Sequence, residues 1–226
     1  MIDCLLDLFY PPACEGCGTL LSERSRLLCL KCFQALPRTD FFKGQYNPVE
    51  QHFWGRLPIE KATAFLHFRK QGITQKLLHL LKYEQRADVG FNLGKWCAIE
   101  LDQKGFFEGI ELILPVPIHP KKAKKRGYNQ SRKLAAGLAA QLKIEVAENH
   151  LIKASPTVSQ TTKSRSARYQ NVSDSFALRQ ANELTRKHLL LLDDVITTGS
   201  TLEACGRLLL DQTDCQLSIL SLAATE

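Results

Sequence analysis

The chain has 226 residues, of which 44% are hydrophobic and 23% are charged. This balance is typical of a folded globular protein and excludes disordered, collagen-like and low-complexity chains. No apolar run approaches the roughly 20 residues that a membrane-spanning helix needs, and residues 1–10 lack the positive charge of a secretory signal. We therefore expect a cytoplasmic protein without a membrane span, built as one full-sized domain with a small appendage.

The net charge of +7 is concentrated in the middle of the chain. Residues 112–173 contain 12 Lys or Arg and two Glu, which gives +10 and leaves −3 for the remainder. A basic segment within a slightly acidic chain favours a localised face that binds phosphates or nucleic acid. The alternative is an ordinary solvated surface, which is what most charged runs are.

Four of the eight cysteines form two CxxC pairs, Cys14 with Cys17 and Cys29 with Cys32. Each CxxC turn directs two thiolates toward one point, and two such turns complete the closed tetrahedron that structural zinc prefers. Disulfides are the alternative, but a cytoplasmic setting disfavours them, and redox CxxC pairs rarely occur doubled. We predict a structural Zn²⁺ site that is closed to catalysis. It would lie in a finger over residues 1–40, ahead of a second domain over residues 41–226.

Hydrophobic patterning predicts the elements of the second domain. In chain order they are a strand over 62–68, a helix with apolar residues at 73–81, a strand over 110–116, a basic loop over 117–129, a helix with apolar residues at 134–142, a strand over 187–192, a helix with apolar residues at 202–209 and a strand over 216–223. Apolar strands that alternate with helices indicate an α/β fold with a mainly parallel sheet flanked by helices. Ligands of such sheets bind at the carboxyl ends of the strands.

The chemistry of the sequence is concentrated where the strand over 187–192 ends. Two adjacent carboxylates, Asp193 and Asp194, come before a small-residue loop that leads into a helix. Backbone N–H groups at such a helix start bind phosphate, and hydroxyls and a glycine assist them; the cradle residues would be Thr197, Thr198, Gly199, Ser200 and Thr201. The carboxylates suit a ribose diol, from which they accept hydrogen bonds. The segment predicts a ribose 5-phosphate site, and the plain alternative is an acidic strand end before a capped helix.

The string from Leu189 to Thr201 resembles the type I phosphoribosyltransferase signature, in which two acids precede Thr-Thr-Gly-x-Thr. The resemblance implies the type I fold and a site for 5-phosphoribosyl 1-pyrophosphate (PRPP). In that site Asp193 and Asp194 would hold the ribose and act in catalysis, while residues 197–201 would hold the 5-phosphate. Mg²⁺ and a loop near Pro117 would hold the pyrophosphate.

Further motifs resemble the competence protein ComF family. Pro-Val-Pro-Ile-His at 115–119, Arg-Gly-Tyr-Asn-Gln at 126–130, and then Gln160, Arg168 and Asn171-Val172 follow the four-cysteine finger. The resemblance covers nearly the full chain. It implies a role in natural transformation, in which such proteins handle incoming single-stranded DNA alongside the ComFA helicase.

Two uses compete for the basic residues that follow Pro117. They could neutralise a pyrophosphate leaving group, or they could track a nucleic-acid backbone. We assign Arg126, beside Gly127, to PRPP, and Tyr128 could either stack a base or pack. A polar segment over 155–171 is predicted to form a flap over the site. The candidates for binding DNA are Lys121, Lys122, Lys124, Lys125, Arg132, Lys133, Arg165 and Arg168.

The sequence leaves three functions open. We favour a competence protein that binds single-stranded DNA and keeps a PRPP pocket as a ligand or regulatory site. The second is a working, Mg²⁺-dependent phosphoribosyltransferase of nucleotide metabolism, although the sequence shows neither a general base nor a recognisable nucleobase pocket. The third is a zinc-dependent docking protein for a helicase.

Overall fold

A computed structural model describes residues 11–23, 27–43, 47–153 and 176–225. Its helices are α1 (Leu30–Gln34), α2 (Pro48–Gln51), α3 (Ile73–Tyr83), α4 (Ala87–Asp102), α5 (Pro120–Arg126), α6 (Gln130–Leu142) and α7 (Ser200–Gln212), with a 3₁₀ turn at Ala181–Leu184. Its strands are β1 (Lys61–Phe68), β2 (Leu112–Pro115), β3 (Glu145–Val146), β4 (Leu151–Lys153), β5 (Phe176–Leu178), β6 (His188–Ile196) and β7 (Gln216–Thr225).

Five of these strands form one sheet in the order β1-β7-β6-β2-β3, and every neighbouring pair is parallel. Strands β4 and β5 form a separate antiparallel pair. In the main sheet Pro115 at the end of β2 pairs with Leu192, one residue before Asp193. The segments that follow β2 and β6 therefore leave the sheet at the same edge. The predicted α/β class with a mainly parallel sheet is confirmed.

The sheet is buried on both faces, as its apolar strands predict. Because side chains alternate along a strand, Leu190 and Leu192 of β6 join one buried cluster with α3, α4 and α6. Leu189 and Leu191 join a second cluster with α7. The even-numbered and odd-numbered side chains of β6 thus anchor its carboxyl end from two sides.

Helix α4 is absent from the predicted elements, yet it holds α6 in place. The two helices approach so closely that a Cβ on Gly94 would collide with the carbonyl oxygen of Leu134. A Cβ on Gly137 would likewise collide with the carbonyl oxygen of Phe91. Glycines at the crossing permit this backbone contact, which places the start of α6 beside the carboxyl ends of β2 and β6.

The predicted basic loop over 117–129 is wrong in part, because residues 120–126 form helix α5. The Nδ1 atom of His119 accepts a hydrogen bond from the Lys121 N–H at 3.2 Å, and Pro120 occupies the first turn, where its missing N–H costs nothing. Gly127 ends the helix at φ 82° and donates to the carbonyl of Ala123. Five cations in seven residues leave no apolar periodicity, so patterning alone misses this helix.

Residues of the predicted finger share the core of the second domain. Cys14, Leu27 and Leu28 are buried in the same cluster as Leu77 of α3. The division at residue 40 therefore stays a prediction. Among the helices of the described residues, none combines the length and apolar character needed to cross a bilayer.

Candidate functional site

The two carboxylates at the end of β6 have different partners. Asp193 Oδ1 accepts hydrogen bonds from Ser131 Oγ at 3.2 Å and from the Asp194 N–H at 2.8 Å. Asp194 Oδ2 forms an ion pair with Lys82 Nζ at 2.9 Å. Lys82 comes from the last turn of α3 and Ser131 from the first turn of α6. The predicted carboxylate pair is thus held by two residues that sequence reasoning did not single out.

Asn129 places Ser131 beside the carboxylates. Its side-chain oxygen accepts the Ser131 N–H at 3.0 Å and so caps the start of α6. Its amide nitrogen donates to the carbonyl of Val116 at 2.9 Å, just beyond β2. One buried side chain therefore ties the end of β2 to the helix that supports Asp193. An Asn two residues before a Ser, at a helix start, was the signal available for finding Ser131.

The loop between β6 and α7 has the form of the predicted phosphate cradle. Gly199 is the N-cap of α7 at φ 74°, where L side chains are strained, and a Cβ there would lie 3.3 Å from the Cβ of His52. Gly199 has no side chain to cap the helix, and the Ser200 N–H makes only a long hydrogen bond to Thr198 Oγ1 at 3.5 Å, so this helix start can donate to a ligand. Thr198 Oγ1 and Ser200 Oγ lie 2.9 Å apart. A cavity of about 40 Å³ is lined by Asp193 and residues 195–202.

A second cavity, which we call the basic cavity, lies on the Lys82 side of the carboxylates. Its volume is about 200 Å³, and it is lined by Lys82, Tyr83, Gln85, Lys122, Lys125 and Arg126. Four of its six lining residues are cations. The Arg126 guanidinium lies 5.4 Å from the centre of the Tyr83 ring, and Tyr83 is 64% exposed. These cations give the basic cavity the charge to attract an anion, and the exposed Tyr83 ring lies beside it.

The predicted DNA-binding residues separate into groups. Lys122 and Lys125 face the basic cavity together with Arg126, whereas Lys121 and Lys124 are exposed elsewhere on α5. The Arg132 guanidinium donates to the Glu148 carbonyl at 2.7 Å and to Asn149 Oδ1 at 3.3 Å.

The other residues predicted to bind DNA are Lys133, Arg165 and Arg168, and their role stays a prediction. Lys133 Nζ lies 5.9 Å from the Tyr128 ring. The Tyr128 hydroxyl donates to the Leu81 carbonyl at 2.7 Å, so this tyrosine packs. Arg165, Arg168 and the predicted flap over 155–171 lie outside the described residues.

A third and larger cavity adjoins the cradle on its other side. It measures about 760 Å³ and lies past the carboxyl ends of β1 and β7. Burial, together with the charge of Arg56, lowers the pKa of His52, so this imidazole is neutral near pH 7. The cavity is lined by Phe41, Pro48, Val49, Gln51, His52, Arg56, His67, Thr197, Ala224 and Thr225.

The four cysteines of the two CxxC pairs lie together, as predicted. The Sγ atoms of Cys14, Cys17, Cys29 and Cys32 are all within 4.8 Å of one another. Those of Cys17 and Cys29 are 3.8 Å apart, close to the roughly 3.8 Å edge of a tetrahedron with 2.3 Å metal–sulfur bonds. A hydrogen bond with Thr19 is the main cause that lowers the pKa of Cys17 to about 6, which favours the thiolate that binds metals. This cluster can hold a metal ion.

The free energy of unfolding is expected to depend on the charge of Asp193. Burial and the neighbouring Asp194 raise the pKa of Asp193 to about 7 from its ordinary 3.8. Because this pKa is higher in the folded chain than in the unfolded chain, protonated Asp193 contributes to the free energy of unfolding. That contribution is complete below pH 3.8 and is lost as pH rises to about 7. Asp193→Asn removes this loss, so the variant is expected to melt a few degrees above the wild type at pH 8 and level with it at pH 4.

Melting temperatures from pH 4 to pH 8 test this expectation. The control is Asp211→Asn, an exposed acid in the last turn of α7. Equal pH dependence in the wild type and in the Asp193→Asn variant would show that Asp193 is ionised at no cost.

Comparison with known proteins identifies a protein family for part of the chain. Residues 129–224 match the family model described as the phosphoribosyl transferase domain. Among solved structures, the chain is similar to a hypoxanthine phosphoribosyltransferase from Staphylococcus aureus (TM-score 0.37, 14% identity, 60% of this chain and 62% of that chain). It is also similar to the glutamine PRPP amidotransferase from B. subtilis (TM-score 0.42, 19% identity, 62% and 30%). Residues 129–224 therefore form a phosphoribosyl transferase domain that includes most of the parallel sheet, and the four-cysteine cluster precedes it in the chain.

The chain is also similar to named proteins. The chain is 27% identical over 200 residues to DNA utilization protein YhgH of Shigella flexneri, covering 87% of this chain and 77% of the relative. It is 38% identical over 100 residues to Competence protein F of Haemophilus influenzae, covering 44% of each chain. The chain is therefore related to proteins named for DNA utilization and for competence, in line with the resemblance seen in its sequence.

Proposed function

We propose that this chain binds PRPP through its transferase domain and handles single-stranded DNA during natural transformation. The observation that supports the proposal is the position of Asp193 and Asp194 between the cradle and the basic cavity. Asp193 lines the cradle, and Lys82, which pairs with Asp194, lines the basic cavity. A ligand with a phosphate at one end, a diol in the middle and a pyrophosphate at the other end matches this order.

Each region would bind one part of PRPP. The N–H groups at the start of α7 and the hydroxyls of Thr197, Thr198, Ser200 and Thr201 would take the 5-phosphate. Carboxylate oxygens of Asp193 and Asp194 would accept hydrogen bonds from the ribose hydroxyls. The pyrophosphate would be neutralised by Lys122, Lys125 and Arg126. Carboxylate oxygens are also ligands that Mg²⁺ accepts, and Mg²⁺ bound with PRPP would stabilise charge on the pyrophosphate.

The four-cysteine cluster would hold a structural Zn²⁺. Four thiolates leave no open position for a substrate, which fits a structural role. The cytoplasmic location predicted from the sequence would keep these thiols reduced when no metal is present. The zinc ion would therefore act on the fold of the N-terminal segment and not on the chemistry at Asp193.

Support for DNA handling comes from charge and from the relatives. The names of the relatives refer to DNA utilization and to competence. Lys121, Lys122, Lys124 and Lys125 are exposed on one short helix, which concentrates positive charge along a path that a phosphate backbone can follow. A ComFA helicase as partner is part of the proposal and rests on the family resemblance.

Tyr83 is expected to stack on a base of single-stranded DNA. Its ring is 64% exposed and lies beside Arg126, whereas the hydroxyl of Tyr128 is held by Leu81. Stacking of one base on an aromatic side chain contributes about 1–3 kcal/mol, so Tyr83→Ala should weaken binding to a thymine oligonucleotide about tenfold. Fluorescence anisotropy measures the affinity. Tyr128→Phe is the matched control, and an equal loss in the two variants would argue against a stacking role for Tyr83.

The alternative function is an active phosphoribosyltransferase, and the 760 Å³ cavity favours it. A nucleophile that displaces pyrophosphate must approach the ribose opposite the leaving group. The basic cavity includes α5, which follows β2, whereas the large cavity lies past β1 and β7, on the other side of β6 in the sheet. The large cavity is therefore placed for an acceptor. Its size suits an aromatic acceptor better than ammonia.

Pyrophosphate release tests this alternative. PRPP, Mg²⁺ and one acceptor at a time are supplied, with nucleobases, ammonia and oligonucleotides as the acceptors. Release that is lost in the Asp193→Asn/Asp194→Asn variant supports turnover. Binding of PRPP without release from any of these acceptors supports the ligand or regulatory role.

A further inference from the structure

Helix α3 is attached to the four-cysteine segment on both sides of Lys82. Near its start, Lys76 Nζ donates to the Gly16 carbonyl at 3.1 Å. Just beyond its end, Arg86 Nη1 pairs with Glu15 Oε1 at 2.5 Å. Lys82, which pairs with Asp194, lies between these two attachments in the chain. The N-terminal segment thus contacts the helix that supplies a cation to the site.

A metal bound by the cysteines would hold their side of this attachment in place. Glu15 and Gly16 are the two residues between Cys14 and Cys17, so a metal bound by both cysteines would fix the backbone that contacts α3. There is no spare room at this contact, because a Cβ on Gly16 would lie 2.8 Å from Cys32 Sγ and 2.9 Å from Ile73 Cδ1. The position of α3 is therefore coupled to the geometry of the cysteine cluster.

We propose that Lys82 is a ligand-binding residue of the phosphosugar site and that the metal-bound cysteine segment positions it by bracing α3. The proposal rests on the proposed PRPP site and adds to it a residue outside the matched transferase domain, which covers residues 129–224. The segment would then serve the small-molecule site directly, in addition to any contact with DNA or a partner.

Lys82 can bridge the carboxylates and an anion at the same time. Its ammonium has three N–H donors, so one can stay on Asp194 while another reaches a phosphate oxygen in the basic cavity, which Lys82 lines. A lysine carries a flexible four-carbon stem, and its reach depends on where its helix lies. A displacement of about 1 Å at such a group is enough to lower its contribution severely, which is why the brace matters.

The test is a comparison of affinities for PRPP and for inorganic pyrophosphate, both with Mg²⁺, on the metal-loaded full chain. Lys82→Met is expected to weaken both ligands about tenfold or more, the loss typical of a charge-assisted hydrogen bond. Glu15→Ala combined with Lys76→Met removes the two attachments and should weaken both ligands several-fold. Lys31→Met, an exposed lysine on α1, is the matched control and should change nothing.

The additivity of the losses in affinity distinguishes bracing through Lys82 from a general loss of stability. If the segment acts through Lys82, adding Glu15→Ala and Lys76→Met to Lys82→Met causes no further loss of affinity. Amide hydrogen exchange of α3 gives an independent readout and should quicken in the Glu15→Ala/Lys76→Met variant and on removal of the metal with a chelator. Full additivity, or unchanged exchange in α3, would overturn the bracing role.

The outcomes also distinguish this inference from the proposed function. A wild-type chain that binds neither PRPP nor pyrophosphate would overturn the PRPP site, and the role of Lys82 with it. A second outcome is that the wild type and the Lys82→Met variant bind PRPP equally well, whereas the Asp193→Asn/Asp194→Asn variant does not bind it. This outcome would support the PRPP site and overturn the role of Lys82 alone.

Discussion

Replacing Asp193 and Asp194 together with asparagine is expected to weaken PRPP binding at least about 100-fold. At pH 8, where Asp193 is mostly ionised, each carboxylate would contribute charge-assisted hydrogen bonds worth about 1.5–3 kcal/mol, and the two losses in affinity multiply. Asparagine keeps the shape of the side chain, and the backbone of β6 is held by parallel pairing on both sides. Calorimetric titration of PRPP with Mg²⁺ measures the loss directly.

The matched control is Asp211→Asn combined with Asp214→Asn. These two acids are exposed at the other end of α7 and change the net charge by the same amount. Equal affinity in the control and in the Asp193→Asn/Asp194→Asn variant would mean that the carboxylates do not bind the ribose. The acidic strand end before a capped helix would then be the correct interpretation of this segment.

Affinity for single-stranded DNA is expected to fall with salt, and the fall should depend on α5. Each phosphate contact to single-stranded DNA contributes about 0.7 to the slope of log affinity against log salt. If Lys121, Lys122, Lys124 and Lys125 each make one contact, their replacement by glutamine lowers the slope by about 3. Between 50 and 200 mM salt the wild type should then lose about 50-fold more affinity than the variant. Anisotropy titrations at several salt concentrations measure both slopes.

A charge-matched control uses four exposed lysines elsewhere in the chain. Its substitutions are Lys31→Gln, Lys43→Gln, Lys95→Gln and Lys143→Gln. The control should keep the slope of the wild type. An α5 variant with an unchanged slope would remove α5 from the DNA face, and DNA binding without any salt dependence would contradict the electrostatic account altogether.

The parts of the site that are contiguous in the sequence could be predicted from it. Asp193, Asp194 and the cradle follow one another on a strand, a loop and a helix start, so local geometry brings them together. The CxxC pairs are also local, and only the approach of the two pairs depends on the fold. The strand and helix signals around them come from apolar patterning, which the buried sheet requires.

Residues brought in by tertiary packing could not be predicted in this way. Lys82 and Ser131 reach the carboxylates because α3 and α6 pack against the same face of the sheet, and no spacing in the sequence records that contact. Which of Tyr83 and Tyr128 is available to stack on a base also depends on burial, and the fold determines that burial. Helix α5 was missed because its charges hide any periodicity, although Pro120 and Gly127 mark its ends.

The proposed function requires that the carboxylates, the cradle and the basic cavity together form one PRPP site. Calorimetric titration of PRPP with Mg²⁺ into the metal-loaded wild-type chain tests it most directly. We expect saturable binding of one PRPP per chain. We also expect competition by pyrophosphate and by ribose 5-phosphate, each of which would occupy one part of the site. Absence of heat and of competition at millimolar PRPP would contradict the claim and leave the fold as a scaffold for the basic face.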